Sequence, residues 1–240
     1  MQQNLWLFAF AATTAFLVAT GCVSHAAPPP PPAPAAPAPP VPPEKLQPAA
    51  KPASEITLFN GKDLAGWKET DFGGHGVVAV KDGIIELSMG GQLTGFHWTN
   101  AAVLPKANYE IELDAMKRDG NDFFCGLTFP ANNSFCSLII GGWGGSVVGI
   151  SSLDGADASE NDSSTSLFFE RNRWYHIRLQ VRPDKILVWI DKDKVIDVGI
   201  AGRKVSMRSG EIEESMPLGI ATWQTSASYK NLQLKKIPAN

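Results

Sequence analysis

The sequence of 240 residues lacks the features of a nucleic-acid-binding or nucleotide-dependent protein. Its 21 basic and 24 acidic residues leave a net charge of −3, and the two signs are interspersed along the chain. Because binding to a phosphate backbone needs a concentrated positive surface, this balance argues against a nucleic acid partner. The chain also has no phosphate-cradling glycine loop, dinucleotide fingerprint or nucleophile elbow. NTPase, dehydrogenase and serine hydrolase activities therefore find no support.

Cysteine is scarce as well, with only Cys22, Cys125 and Cys136 in the chain. The first lies where an export signal would be processed, which leaves one pair that could form a disulfide. Cys125 and Cys136 fall in adjacent strand-like runs on either side of a turn near residues 130–133. An oxidising compartment would permit the bond, but cross-strand pairs often lack the required geometry. Two hypotheses stay open: a disulfide across a hairpin, or two small buried thiols.

A long hydrophobic span is also missing from the N-terminal region. The apolar run Leu5–Val18 has the length of a signal-peptide core and is too short to cross a bilayer comfortably. Residues 18–22, with the sequence VATGC, resemble the lipobox of bacterial lipoproteins, where a peptidase cuts before a lipid-modified cysteine. We therefore expect residues 1–21 to be a lipoprotein signal peptide, with lipidation of Cys22 as the protein's membrane anchor. The alternative is secretory cleavage after Ala26, which would leave a soluble secreted or periplasmic protein.

The segment 22–54 is rich in proline and alanine, a composition that favours polyproline II conformation and cannot pack a core. At roughly 3.1 Å per residue, such a segment would hold a domain several tens of ångströms from a membrane surface. We expect a linker that displays the rest of the chain outside the cytoplasm, at the cell envelope. The alternative is a leader remnant without mechanical purpose.

Residues 55–240 have an ordinary globular composition, and sustained helical periodicity is almost absent from them. Apolar and polar residues alternate instead, which is typical of half-buried strands. In the run 109–115 the apolar residues share one face and three carboxylates the other, which would be either a sugar-facing surface or a solvated back. Other strand-like runs include Val147–Ser151, 174–181 and Lys185–Ile190, and turn signals such as Asp82-Gly83 separate the runs. This pattern predicts an all-β fold, a two-sheet antiparallel β-sandwich of the jelly-roll type.

Residues 56–67, with the sequence ITLFNGKDLAGW, resemble the opening motif of the 3-keto-disaccharide hydrolase-like domains, which have the concanavalin A-like lectin and glucanase fold. The similarity continues through residues 80–85, through the paired runs 174–178 and 185–191, and into residues 219–232. It spans nearly all of 55–237. The resemblance implies a concanavalin A-like jelly roll, a carbohydrate partner and cleavage of a glycoside or 3-keto-glycoside.

The middle of the chain departs from the family's pattern, so the resemblance assigns no catalytic residue. Here four glycines surround Trp143 in the sequence GGWGG. An exposed indole beside bare backbone suits stacking on the apolar face of a sugar. The alternative is that Trp143 fills the sandwich core or a bend between strands.

An acidic stretch follows, with four carboxylates within nine residues, from Asp154 to Asp162. Hard oxygen ligands so close in sequence could surround calcium. Asp154, Asp157 and Glu160 are therefore candidate ligands of a divalent cation such as calcium, the one cofactor that the sequence suggests. The spacing does not match an EF-hand loop, so a solvated polar turn or direct contact with a sugar stays open.

Glycoside cleavage commonly uses one group that donates a proton and a second that accepts one or attacks carbon. The candidate catalytic residues are Asp157, Glu160 and His97. The candidate substrate-binding residues are Trp143, Asn161 and Trp98. The competing hypothesis is a non-catalytic carbohydrate-binding or surface-interaction module, which a stalk would display equally well.

Overall fold

The computed structural model describes residues 55–239, and the predicted signal peptide 1–21, Cys22 and the linker 22–54 lie outside the described residues. The described part contains fifteen strands, two short 3₁₀ helices and no α-helix. The strands are β1 (Glu55–Thr57), β2 (Trp67–Glu69), β3 (Val78–Lys81), β4 (Ile84–Leu87), β5 (Leu93–Trp98), β6 (Tyr109–Gly120), β7 (Cys125–Ala131), β8 (Ser134–Gly142), β9 (Val147–Ser151), β10 (Thr165–Ser166), β11 (Trp174–Val181), β12 (Lys185–Ile190), β13 (Asp193–Gly199), β14 (Gly219–Trp223) and β15 (Thr225–Lys236). The 3₁₀ helices are Ala101–Val103 and Glu211–Ser215. Among residues 55–239, no helix has the length and apolar character needed to cross a membrane.

The strands form two antiparallel sheets. One sheet has eight strands in the order β13-β12-β11-β6-β15-β4-β3, with β1 also paired to β15. The other has seven strands in the order β10-β9-β8-β7-β14-β5-β2. One hydrophobic cluster contains buried residues of both sheets, so the sheets pack face to face. The structure confirms the predicted all-β, two-sheet antiparallel sandwich.

The alternation seen in the sequence produces this core directly. Leu113 and Ala115 of β6 and Ile177 of β11 are fully buried, while the residues between them point to the outside. The hairpin between β3 and β4 closes through Asp82 and Gly83, which both have positive φ, as a type I′ turn requires. Local turn chemistry and strand periodicity therefore agree on the register.

Two buried tyrosines connect the sheets. The hydroxyl of Tyr109 in β6 donates a hydrogen bond to the carbonyl oxygen of Pro130 in β7, and the hydroxyl of Tyr229 in β15 donates to that of Phe124. Burial raises the pKa of both phenols well above the ordinary value, so the hydroxyls remain donors. Each bond satisfies polar groups that would be costly to bury alone.

The three carboxylates of β6 lie on the outer face of the eight-stranded sheet. There Glu110 accepts hydrogen bonds from Arg178 and Gln180, at 3.2 and 2.6 Å. Glu112 pairs with Lys235, and Asp114 with His176, both at 2.8 Å. The carboxylates are thus engaged on the solvated back of the sandwich.

The two cysteines of the domain are free, buried thiols. Cys125 lies opposite Ile140, whereas Cys136 lies opposite Phe129, four positions further along the β7–β8 ladder. At about 3.4 Å per residue the two are roughly 14 Å apart along the strands, well beyond the Cα separation of about 7 Å that a disulfide tolerates. The disulfide hypothesis is wrong. Burial raises the pKa of Cys125 to about 12 and raises that of Cys136 as well.

Candidate functional site

A cavity of about 380 Å³ opens on the outer face of the seven-stranded sheet. Its floor consists of strand residues that alternate with core-facing ones, among them Leu93, Ile139, Ser151 and Trp223. Two loops and the 3₁₀ helix Glu211–Ser215 form the walls. The complete lining is Gln92, Leu93, Asp122, Phe123, Ser137, Ile139, Trp143, Ser151, Arg208, Ser209, Gly210, Glu211, Ile212 and Trp223.

Trp143 stands at the rim of this cavity, in the turn between β8 and β9. Its own φ is positive, as are those of Gly141, Gly144 and Gly145, which explains why glycine surrounds it. Asp122 fixes the turn by accepting a hydrogen bond from the backbone N–H of Gly144 at 3.2 Å, while its other oxygen accepts from the N–H of Phe123 at 2.8 Å. Trp143 is 41 % exposed. The alternative in which it fills the core is therefore excluded.

The cavity floor is apolar and packs against a small hydrophobic cluster. Phe72, Leu93 and Ala221 form a small buried cluster on which Phe123, Ile212 and Trp223 pack. Two indole rings, those of Trp143 and Trp223, thus border the same space. Rigid aromatic surfaces of this kind suit the apolar faces of sugar rings.

Arg208 brings a positive charge to the cavity and is oriented by Asp157. Its Nη1 lies 3.0 Å from Oδ2 of Asp157, and its guanidinium carbon lies 6.0 Å from the centroid of the Trp143 ring. Oδ1 of Asp157 accepts hydrogen bonds from the hydroxyls of Ser151 and Ser152, at 2.9 and 3.2 Å. Asp157, a predicted catalytic residue, therefore does not line the cavity itself but contacts two residues that do, Arg208 and Ser151.

Two further carboxylates line the cavity, one with hydrogen-bond partners in the described part of the chain and one without. Asp122 holds the Trp143 turn with one oxygen and accepts a hydrogen bond from the N–H of Phe123 with the other. Glu211 is exposed at the start of the 3₁₀ helix, and its carboxylate makes no hydrogen bond or ion pair with other residues of the segment 55–239. Glu211 is the lining carboxylate that is free to accept a proton from a ligand.

The predicted cation ligands do not converge. Asp154 accepts hydrogen bonds from Nε of Arg203 at 2.7 Å and from the N–H of Lys204 at 2.9 Å, and these two contacts lower its pKa. Asp157 faces Arg208, and Glu160 is exposed to solvent. Within residues 55–239, no group of three or more acidic, histidine or cysteine side chains is arranged to hold a metal ion. The acidic stretch is a polar loop closed by arginine.

Asn161 belongs to the framework of this loop. Its amide nitrogen donates to the carbonyl oxygens of Ile150, Ala156 and Asp157, at 2.7, 3.0 and 2.7 Å. Its oxygen accepts from the N–H of Ser163 at 3.0 Å. These contacts use the whole amide, so Asn161 holds the loop together in place of the predicted substrate contact.

His97 and Trp98 do not line the cavity either. Nδ1 of His97 lies 2.9 Å from the hydroxyl of Thr70, and burial, with a contribution from Lys68, lowers the pKa of the imidazole. Trp98 lies on the core side of β5, where its ring meets that of Trp67 edge-on at 5.2 Å between centroids. The catalytic role predicted for His97 and the substrate contact predicted for Trp98 thus have no support in the geometry.

Four residues that line the cavity were not predicted from the sequence: Asp122, Arg208, Glu211 and Trp223. No local motif marks them, because pairing between distant strands brings them together. The N–H of Asp122, for example, donates to the hydroxyl of Thr225, 103 positions away in the chain. The one available signal was Trp223 itself, a tryptophan at the end of a predicted strand.

Solved structures of similar architecture are numerous, whereas no curated protein matches the chain. A Bacillus subtilis protein with a galectin-like fold is 10 % identical, with 78 % of this chain and 96 % of that chain covered and a TM-score of 0.54. The Crh5 transglycosylase in complex with NAG is also 10 % identical, with coverage of 78 % and 85 % and a TM-score of 0.51. The carbohydrate binding module CBM66 from Bacillus subtilis is 15 % identical, with coverage of 71 % and 95 % and a TM-score of 0.47. At these identities the two structures with TM-scores above 0.5 show the jelly-roll fold alone.

The family of the chain follows from its similarity in sequence to a family model. The family model described as the 3-keto-alpha-glucoside-1,2-lyase-like domain matches residues 54–235. This range covers nearly the whole sandwich, from β1 into β15, and includes the opening motif at residues 56–67. The carbohydrate-related character expected from that motif is confirmed. The chain belongs to the family of 3-keto-alpha-glucoside-1,2-lyase-like domains.

Proposed function

We propose that this domain binds a 3-keto-glycoside in the cavity beside Trp143 and Trp223 and cleaves its glycosidic bond. One observation carries the proposal: two indole rings, the cation of Arg208 and the free carboxylate of Glu211 all face one space of about 380 Å³. That volume lies within the range of small-molecule sites, roughly 300 to 1,000 Å³. The combination provides a sugar platform together with a base and a charge that stabilises an anion.

The binding step divides between apolar and polar groups. Trp143 and Trp223 contact the C–H faces of the sugar ring. The exposed amide of Gln92 is available for hydrogen bonds with sugar hydroxyls, whereas the hydroxyls of Ser137 and Ser151 already bond Thr128 and Asp157. Asp122 already holds the Trp143 turn in place without a ligand. Binding therefore costs little entropy for ordering the rim of the cavity.

The chemical step follows from the ketone at C3. A carbonyl there makes the proton on C2 acidic, because the electron pair left behind is delocalised onto the carbonyl oxygen as an enolate. In our proposal Glu211 accepts the C2 proton and Arg208 stabilises the developing negative charge on that oxygen. The enolate electrons then form the C1–C2 double bond as the C1–O bond breaks, and the leaving oxygen takes a proton from Glu211 or from water.

The number of free carboxylates favours this elimination over hydrolysis by a carboxylate pair. Hydrolases of that kind place two carboxyl groups on opposite sides of the bond, about 5 to 10 Å apart. Here Asp122 is held by the turn and Asp157 by Arg208, which leaves Glu211. The second candidate function is a non-catalytic sugar-binding module, which would use the same tryptophans and need no base.

The test measures turnover and binding separately with the purified protein. The ligands are methyl α-glucoside, its 3-keto derivative and a 3-keto-disaccharide. The unsaturated ketone formed by elimination is followed by its ultraviolet absorption, and binding is followed by calorimetry. Glu211→Gln is expected to lower turnover at least a hundredfold while affinity stays within about threefold, and Trp223→Ala to weaken affinity at least tenfold.

The controls come from the same chain. Glu214→Gln changes an exposed carboxylate on the same 3₁₀ helix that does not line the cavity. Glu160→Gln and His97→Gln alter the predicted catalytic residues that lie outside the cavity. All three are expected to retain wild-type turnover. Sugar binding that depends on Trp223, with no turnover of any ligand, would favour the module, and neither binding nor turnover would exclude both functions.

A further inference from the structure

A second cavity, of about 500 Å³, lies at one end of the sandwich, on the other side of the Trp143 turn. It is bounded by the end of β6, by Gly144 and Gly145 of the turn, and by the segment 166–171. The N–H of Leu167 donates to the carbonyl oxygen of Ser146 at 2.9 Å, which fastens that segment to the turn. The Trp143 turn is thus a shared wall of the two cavities.

Lys117 is a buried cation that lines this cavity. It lies on the core-facing side of β6, in series with Leu113 and Ala115, and only 6 % of the residue is exposed. Its ammonium makes no hydrogen bond or ion pair with any other residue of the segment 55–239. A Cβ at Gly145 would lie 3.1 Å from Nζ, so the bare backbone there is what makes room for the ammonium. The stem of Lys117 is thus buried, while its ammonium opens onto the cavity, where an anion could pair with it.

Arg171 adds a second cation on the opposite wall. Its Nη1 pairs with Oδ1 of Asp119 at 3.0 Å, while Nη2 lies 3.4 Å from Oδ1 of Asn121. Asp119 offsets the charge of Arg171, but the nearby Asp122 is already engaged by the Trp143 turn. Lys117 is therefore left as a donor of up to three hydrogen bonds to a ligand that enters the cavity.

The rim of the second cavity carries an exposed aromatic ring. Phe168 is 86 % exposed, whereas its neighbour Phe169 is buried against Phe124 and Tyr175, at 5.0 and 5.1 Å between ring centroids. Phe169 thereby anchors the segment in the core and leaves the ring of Phe168 in solvent. An apolar ring beside two cations is suited to a ligand with both an apolar face and an anionic group.

We propose that the second cavity binds the oxyanion of an acidic sugar, such as the carboxylate of a uronic acid residue. Lys117 and Arg171 pair with the oxyanion, and Phe168 contacts the sugar ring. The Trp143 turn borders both cavities, so the two proposed sugar sites lie on either side of one loop. The inference rests on the proposed function only in taking a sugar as the carrier of the anion.

The experiment compares three probes on the full chain by calorimetry: methyl glucuronide, the neutral methyl glucoside and inorganic sulfate. Methyl glucuronide is expected to bind at least tenfold more tightly than methyl glucoside in low salt. The preference should shrink in 0.5 M NaCl, because salt screens the charge pairing. Equal affinity for the two glycosides, or a preference that salt leaves unchanged, would overturn the inference.

Two variants assign the preference to this cavity. Lys117→Met keeps the apolar stem and is expected to abolish the preference, and Arg171→Gln is expected to reduce it at least threefold. Lys192→Met removes one positive charge at the exposed β12–β13 turn and should leave the preference intact. If circular dichroism shows that Lys117→Met does not fold, the Arg171→Gln variant is the test, and an unreduced preference for methyl glucuronide in that variant would overturn the inference.

Other outcomes separate this inference from the proposed function. A preference that survives Lys117→Met and Arg171→Gln but is lost in Arg208→Gln would place the anion in the first cavity and overturn the inference. Inorganic sulfate that binds as tightly as methyl glucuronide would overturn the part that concerns the sugar. Failure of the proposed function would give a different result: Trp223→Ala would leave the affinity for neutral ligands unchanged, and Glu211→Gln would leave their turnover unchanged.

Discussion

Among single residues, the buried ionisable groups of the domain follow two different rules. The thiols of Cys125 and Cys136 and the phenols of Tyr109 and Tyr229 all have raised pKa values, so each is buried in its neutral form. Lys117 is the contrasting case, because burial and the neighbouring Arg171 lower its pKa, the direction that disfavours the charged form. Glu110, the other buried residue with a charged side chain, has Arg178 and Gln180 as partners, whereas the ammonium of Lys117 has none among residues 55–239. This difference points to a ligand rather than to packing.

The cost of that cation gives a prediction about stability and pH. Below the lowered pKa of Lys117 the ammonium is charged in both folded and unfolded chains, and the full destabilisation is present. As pH rises towards the ordinary value of 10.5, the folded chain loses the proton first, so stability rises relative to a variant without the group. Lys117→Met is therefore expected to be more stable than the wild type at pH 7, with the difference in unfolding free energy closing towards pH 10.

Urea unfolding of both proteins at several values between pH 7 and pH 10 measures this gap. The comparison cancels the titration of cysteine and tyrosine, which both proteins share. The charged groups that face Lys117 are Arg171 and Asp122, and Asp119 is paired with Arg171. A Lys117→Met variant less stable than the wild type at pH 7 would mean that the ammonium already has a stabilising partner.

At the scale of elements, the loop between β9 and β10 shows how an acidic sequence pattern can be misread. Its carboxylates face outward to two arginines rather than inward to a shared cation: Arg203 binds Asp154 and Asp162, and Arg208 binds Asp157. Both arginines lie more than 40 positions downstream, so spacing within the loop could not reveal them. The sequence shows that the carboxylates are close together in the chain, but tertiary contacts determine which cations they pair with.

This arrangement predicts the effect of removing Arg203. In Arg203→Ala, Asp154 and Asp162 lose their common partner, and the residual repulsion between carboxylates should loosen the loop. Backbone hydrogen exchange in residues 154–162 is expected to accelerate at least fivefold, while the core strands stay protected. Arg118→Ala, at an exposed position of β6, is the matched control. Unchanged exchange in the loop would contradict the structural role of Arg203, and protection by added calcium would revive the cation site.

The strands show which part of the fold a sequence can reveal. Two predicted runs, Val147–Ser151 and Lys185–Ile190, coincide with β9 and β12. By contrast β5 was not predicted, because both of its faces are covered. Phe96 faces the main core, and Leu93 packs in the small cluster on the other side. Without a polar face there is no period-2 alternation to detect, and Gly95, which lies against β14, weakens the strand signal further.

For the molecule as a whole, the fold was predictable and most of the site was not. Alternation and turn residues act over a few positions and specify sheets and hairpins. The cavity depends on strand order, since β14 lies between β5 and β7 and carries Trp223 to the neighbourhood of Asp122. Trp143 could be singled out because its glycine neighbours are local. Its partners Arg208 and Glu211 lie in a segment without periodicity and were visible only in three dimensions.

The last prediction concerns the whole chain and the segment before the domain. We propose that Cys22 carries the lipid anchor and that the linker 22–54 displays the domain outside the cytoplasm. Each buried acyl CH₂ contributes about 0.8 kcal/mol, so the two or more chains on a lipobox cysteine suffice for stable attachment. Cys22→Ser is therefore expected to move the protein out of the membrane fraction or to leave the leader uncut.

Fractionation and intact-mass measurement test this, with Ser24→Ala as a neighbouring control that keeps the cysteine. The parent protein should carry the mass of the acyl chains on a first residue Cys22. A parent whose mass corresponds to a chain that starts at Ala27 would establish the alternative secretory cleavage. In that case Cys22→Ser would fractionate like the parent, since the cysteine would have left with the leader, and the domain would act as a soluble protein.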